Sequence, residues 1–534
     1  MIRSSFLATM AFVLWLASPA QAAPTAVDGG MIEGVRTGDV TAYKGIPFAA
    51  PPVGPLRWRA PQPAAPWPGV KLADRFSPVC MQKGSYPEDA PPEPMSEDCL
   101  TLNVWVPGGV APGTNLPVMV WIYGGGLVNG TASTPLYAGD ELARRGVIVV
   151  TANYRLGALG FLAHPGLTRE SANKVSGNYG LLDQLAALQW VNRNIAAFGG
   201  DPGNVTVFGQ SSGSISISVL SASPLAKGLF RRAIGQSGGL LEPVEIAPEF
   251  ALDGAEKYGA AFAAKLGAPS LAALRAKPAA EIANARYSPN AVIDGYVLRE
   301  PPFNAFAAGR GNDIDLLIGS NADEGLEFVG KRNITVATLP DLLRQDFPSF
   351  IVSLIGPKTP ANDKEALDAF VAFEGDMRFG WDMLAWARLH AATRRNTFLY
   401  RFAHTPPGEY GARHGVEMQY VFGHPNPKAP WTDADRKLSQ AMAAYWTNFA
   451  KTGDPNGPGL PAWPTFKRGE QALLIGNEIN AGTLPNASDL AAIDRLYAVV
   501  RFALANLYTL AGVALVLFLA LLALAWRVIR RSFS

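Results

Sequence analysis

The sequence predicts an α/β fold, with a single large, mainly parallel sheet flanked by helices and, apart from it, a C-terminal helix crossing a membrane. Three observations predict it. Apolar strand-like runs alternate with helical patterns, as in a sheet covered by helices on its faces. No internal repeat or linker-like run interrupts residues 27–480 of the 534, so one domain carries the middle of the chain. The two ends differ in kind from that middle.

At the start, Arg3 precedes an apolar run from Phe6 to Ala17, followed by Pro19 and the small-x-small site Ala20-Gln21-Ala22. A basic start, a short apolar run and a processing site in that order describe a secretory signal peptide, residues 1–22, cleaved after Ala22. The mature domain is expected over 23–497. Within it, Val118–Ile122 reads as a buried strand leading into Gly124-Gly125-Gly126, and Val147–Thr151 as another. Residues 181, 182, 185, 188, 191, 195 and 198 form a helical stripe that Gly199 and Gly200 close. Val205–Phe208 is a further short strand.

At the other end, Leu507–Trp526 is 20 residues without a charge, which at a helical rise of 1.5 Å spans about 30 Å, the thickness of a bilayer's hydrocarbon core. The expected membrane helix covers 503–526. Arg527, Arg530 and Arg531 follow in a basic tail, 527–534, that belongs on the cytoplasmic side. The bulk of the chain then lies on the periplasmic or extracellular face. A lipid-anchor signal would also be apolar but would not end in such a tail.

The chain has 46 basic and 44 acidic residues, a net charge of +2. Setting aside Arg3 and the three tail arginines leaves 42 against 44, so the basic surplus is topological and nucleic acid is not an expected partner. The two cysteines, Cys80 and Cys99, suit one disulfide in an oxidising compartment and supply no metal-ligand set.

Gly-x-Ser-x-Gly occurs twice, at Gly209–Gly213 around Ser211 and at Gly235–Gly239 around Ser237. A nucleophile elbow needs a strand before it and a helix after it. Val205–Phe208 supplies the strand for Ser211. The alternation of Ser214, Ile215, Ser216, Ile217, Ser218 and Val219 looks like another strand, but the elbow demands a helix and small serines would let one pack against the sheet. A serine hydroxyl is a weak nucleophile without a base and an orienting acid. Beyond Ser211, spacing leaves His390, His404, His414 and His424 equally open as the base.

Several stretches together resemble the type-B carboxylesterases, relatives of the cholinesterases: YKGIPFAAPPVGPLRW (43–58), EDCLTLNVWVP (97–107), VWIYGGGL (120–127), NYRLGALGFL (153–162) and the run from Gly177 to Gly213. The resemblance covers roughly residues 27–497. It implies an α/β-hydrolase fold and two-step acyl transfer on a small-molecule ester, with no cofactor and no metal. Ser211 matches the nucleophile, Glu324 in Asn-Ala-Asp-Glu-Gly the acid, and His414 in Arg-His-Gly-Val-Glu the base. The amides of Gly125, Gly126 and Ser212 match the oxyanion hole, Cys80 and Cys99 the first disulfide loop, and Ser237 a supporting position. Gln210 departs from the family, which most often has Glu before the nucleophile. Between the cysteines Tyr86 is the one aromatic residue, where cholinesterases carry a Trp, so a cholinesterase is not expected. The family also contains adhesion proteins with a silent esterase domain and one membrane span, and an intact triad argues against that alternative. A lipase acting on membrane esters is the other. Oligomeric state is not legible.

Overall fold

A computed structural model describes residues 20–83, 94–393, 395–467 and 469–507, together with 509, 512, 515, 517–519, 521 and 522. Among them a twelve-stranded sheet forms the spine. Its middle is parallel, in the order Ile148–Ala152, Leu116–Ile122, Gly200–Gln210, Arg232–Gln236, Asp315–Asn321, Thr397–Phe402, Ala472–Ile475. Val118–Ile122 is buried throughout, as an unbroken apolar run must be when both faces of a sheet are covered. Helix Ser212–Ala222 packs on the strands ending at Gln210 and Gln236, and helix Trp381–Ala391 on the next two.

The edges are antiparallel, so the sheet is mixed where mainly parallel was expected. Ile148–Ala152 pairs antiparallel with Thr101–Pro107, which is followed outward by Val40–Pro47, Val35–Thr37 and Ala20–Gln21. Ile479–Gly482 closes the far edge in the same sense. The reason is local. Gly38, at φ 62°, and Asp39 alone join Val35–Thr37 to Val40–Pro47, and so short a link permits only an antiparallel hairpin.

The helical stripe is realised as helix Tyr179–Asn194 and a 3-10 turn, Ile195–Phe198, ended by Gly199 at φ 81°. Asp183 on this helix is buried and takes two bonds of 2.7 Å from the Arg155 guanidinium, which fixes the 153–162 segment to the helix. Ser212–Ala222 is a helix, as the elbow requires. Two of its serines bond within the helix, Ser216 Oγ donating to Ser212 O at 2.9 Å and Ser218 Oγ to Ile215 O at 2.7 Å, while Ser214 Oγ donates to Gly238 O at 2.5 Å. That removes the penalty for burying their hydroxyls.

Cys80 and Cys99 are joined in a disulfide; Tyr86 in the loop between them lies outside the described residues. So do residues 1–19 of the expected signal peptide. Ala20 and Gln21 pair with Arg36 and Val35, so cleavage after Ala22 would remove that two-residue edge strand. The expected span 503–526 is described only in part, and the basic tail 527–534 not at all. Among the described residues no helix is long and apolar enough to cross a membrane.

Candidate active site

The strand Gly200–Gln210 ends at Ser211, and the helix that follows starts one residue later. Ser211 itself has φ 56° and ψ −128°, a backbone state costly for any residue with a Cβ and typical of a serine thrust out of a strand-to-helix turn. Two contacts hold it there. Ser211 N donates to Gln236 O at 2.8 Å, and the flanking glycines allow the turn to lie against the neighbouring strand. A Cβ on Gly213 would sit 2.0 Å from Ile122 O, and one on Gly209 2.6 Å from the same atom.

The glycine loop meets the elbow from the strand Leu116–Ile122. Gly125 and Gly126 take φ of 104° and 63°, and Leu127 N donates to Ser212 Oγ at 3.1 Å. This places Gly125 and Gly126 on the wall of the cavity onto which Ser211 opens, while the Ser212 amide belongs to the first turn of a helix, where amides lack helical partners.

Of the four histidines that spacing left open, three are held in other places. His390 is buried between Thr397 Oγ1 and Ile314 O, His404 is bound to Asp435 at 2.8 Å, and His424 to Ala138 O at 3.0 Å. Only His414 shares the cavity with Ser211. Its Nδ1 donates to Glu324 Oε2 at 2.6 Å, and Asn321 N donates to Glu324 Oε1 at 2.6 Å. Phe379 stacks on the imidazole with centroids 4.4 Å apart. Burial works to lower the His414 pKa, but the Glu324 carboxylate, with Glu417 and Glu327 behind it, outweighs burial and holds it above the ordinary histidine value.

His414 Nε2 is met by the side-chain amide nitrogen of Gln210 at 3.0 Å, and the Ser211 hydroxyl makes no hydrogen bond among the described residues. With Nδ1–H given to Glu324, the ring presents the Nε2 lone pair, to which Gln210 donates. Ser237 follows the strand Arg232–Gln236 at φ 54° and is fully buried; its hydroxyl finds no partner among the described residues.

The structure adds a residue that sequence reasoning passed over. Glu417 is wholly buried and accepts from Asn321 Nδ2 at 2.6 Å and Gln236 Nε2 at 2.8 Å. Burial first, then the nearby Glu324 charge, push its pKa above the usual carboxylate value. Trp446 Nε1 donates to Gln236 Oε1 at 3.1 Å and completes this buried bracket beside Glu324. The signal for it lay in motifs already noticed, since Glu417 ends Arg-His-Gly-Val-Glu and Gln236 belongs to the second Gly-x-Ser-x-Gly.

The cavity holds about 690 Å³ and is lined beyond Ser211 and His414 chiefly by apolar side chains, among them Val244, Phe328, Phe347, Ile351 and Met377. Among the described residues no group of three His, Cys, Asp or Glu could hold a metal ion. A serine, a histidine and a carboxylate with amide donors beside an apolar chamber can carry out acyl transfer.

Residues 21–492 match the model of the carboxylesterase family. The chain is 39% identical over 484 residues to the fumonisin B1 esterase of Sphingopyxis macrogoltabida, covering 85% of this chain and 86% of that one. It is 36% identical to the cholinesterase of Mus musculus, covering 84% and 81%, and 35% identical to carboxylesterase 1D of Rattus norvegicus, covering 83% and 86%. Among solved structures, a PNB esterase superposes with a TM-score of 0.77 at 33% identity, covering 88% of this chain and 99% of that one.

Proposed function

The chain belongs to the carboxylesterase family and is a carboxylesterase-type hydrolase, and on that premise we propose that it cleaves small-molecule esters through an acyl-enzyme on Ser211. The observation that carries this reading is that the Ser211 elbow, the Glu324-bound His414 and the glycine loop open on one apolar cavity.

His414 Nε2 takes the proton of the Ser211 hydroxyl as the oxygen attacks the ester carbonyl. For this the Ser211 hydroxyl replaces the Gln210 amide at Nε2, a rearrangement of the kind that accompanies substrate binding. The carbonyl oxygen gains charge and is held by the amides of Gly125, Gly126 and Ser212, each worth a few kcal/mol. The imidazolium, steadied by Glu324, returns the proton to the departing alcohol. Water then attacks the acyl-enzyme with His414 again as base, which releases the acid and restores Ser211.

The domain is proposed to be exported and held at the outer face of a membrane by residues 503–526. Leu515, Leu517, Phe518, Leu519, Leu521 and Leu522 are all more than half exposed, a density of bare apolar side chains that water does not favour. Alkaline carbonate extraction of membranes carrying the full chain and a chain ending at 497 tests this. The full chain is expected in the pellet and the shorter one in the supernatant; equal partition defeats the anchor.

The chemistry is tested by treating the protein with an organophosphonate ester and mapping the adduct by mass spectrometry. A single adduct on Ser211 is expected, absent when His414→Ala is treated alike. Labelling confined to Ser237, or no adduct, would remove the proposed mechanism.

A further inference from the structure

Arg378 stands in a short π-helical turn, Asp376–Gly380, inserted between helices Asp363–Gly375 and Trp381–Ala391. Such turns widen a helix by one residue and are frequent at functional sites. Here the turn delivers three consecutive side chains, Met377, Arg378 and Phe379, to the cavity of Ser211 and His414. Phe379 stacks on the His414 imidazole, and Arg378 is its neighbour in this turn.

The guanidinium is built in. Nε donates to the fully buried Glu374 at 2.6 Å, and the planar group lies over Phe328 at 4.3 Å and Phe347 at 5.0 Å from the ring centroids. This packing orients the plane and strips water from its faces. The two terminal nitrogens donate to no described residue, and the side chain is 34% exposed. Those nitrogens form the fork that matches a carboxylate with two parallel hydrogen bonds.

Glu374 is pushed up to about 7 by burial, with Arg378 opposing and the nearby Asp346 adding to it. Asp346 is in turn paired with Arg332. Arg378 is the one permanent cation among the described residues lining the cavity. Of the carboxyls there, Asp382 is raised well above the usual range and Glu242 to about 6, burial leading in both, while Glu327 is exposed.

We propose that the terminal nitrogens of Arg378 form an anion subsite in this cavity, and that the preferred esters carry a free carboxylate a few atoms from the scissile bond. The inference rests on the hydrolase reading above. It concerns which esters are chosen, with Arg378 binding the substrate without entering the bond-breaking steps. The carboxylate can belong to the acyl part or to the alcohol part, and the two are separable by experiment.

The test measures kcat/KM of the full chain on p-nitrophenyl hemiglutarate against p-nitrophenyl valerate, and on 4-carboxyphenyl valerate against phenyl valerate, with Arg378→Gln and Arg378→Lys beside the wild type. The wild type is expected to prefer the carboxylate-bearing member of one pair by about tenfold or more, as a charge-assisted bidentate contact provides. Which pair shows it identifies the half of the ester that Arg378 holds. Arg378→Gln should abolish that preference while leaving the neutral ester within about twofold, and Arg378→Lys should keep part of it. A wild type that disfavours the carboxylate in both pairs overturns the proposal. So does an Arg378→Gln that slows charged and neutral esters equally, since that would make Arg378 a packing residue. A wild type inactive on all four esters would instead refute the hydrolase reading, and this subsite with it.

Discussion

The side-chain amide of Gln210 reaches Nε2 of His414 at 3.0 Å, on the edge of the imidazole opposite the one that Glu324 holds. Both ring nitrogens of His414 are therefore occupied, one by a carboxylate and one by a neutral amide. A family member with Glu at this position would place a second negative charge against the ring.

That contact predicts a pH effect. The base must be neutral to accept a proton, so activity is lost as pH falls through the His414 pKa, which here lies above the ordinary histidine value. Gln210→Glu adds a charge that stabilises the imidazolium, and the acidic limb of the kcat/KM profile should move up by about one unit or more. Glu324→Gln removes the leading stabiliser and should move it down. A profile unchanged in Gln210→Glu would mean that this amide does not govern the base.

The Arg155–Asp183 pair is buried on both sides, with side-chain exposures of 5% and 0%. Asp183→Ala strands a guanidinium in the core and should cost about 3–5 kcal/mol in urea unfolding, because the lost partner leaves a buried charge uncompensated. A loss under about 1 kcal/mol would show that water reaches the site.

The Cys80–Cys99 bridge closes a loop with a sequence separation of 19. Reduction, or Cys80→Ala with Cys99→Ala, should destabilise the domain by about 3 kcal/mol through the freedom regained by the unfolded chain. Matched thermal melts with and without reductant measure it, and coincident melts would contradict it.

How much of this was legible in the sequence follows from the range of each interaction. The strand at Val205–Phe208, the stripe closed by Gly199 and the elbow glycines are local, and local pattern was enough to place them. The helix Ser212–Ala222 contradicts its own alternation because Ser216 and Ser218 bond to backbone carbonyls of the helix and Ser214 to Gly238 O, a solution periodicity does not register. The antiparallel pairing of Val35–Thr37 with Val40–Pro47 is legible in Gly38-Asp39, too short a link for a crossover, whereas the other antiparallel pairs are not set by that turn. His414 could not be separated from three other histidines, since what distinguishes it is a carboxylate 90 residues away. Glu417 was unreadable for the same reason, being defined by Gln236, 181 residues earlier, and Asn321. The family resemblance proposed a triad that spacing could not, but it left Gln210 as a missing charge. The structure shows it in direct contact with His414 Nε2.

Everything proposed about the chemistry meets at Ser211, so hydrolysis of p-nitrophenyl butyrate by wild type, Ser211→Ala and Ser237→Ala tests the account most directly. The account predicts that Ser211→Ala loses about three orders of magnitude or more in kcat, while Ser237→Ala, whose hydroxyl is buried and unbonded among the described residues, remains within about tenfold of wild type. Normal turnover by Ser211→Ala would contradict it.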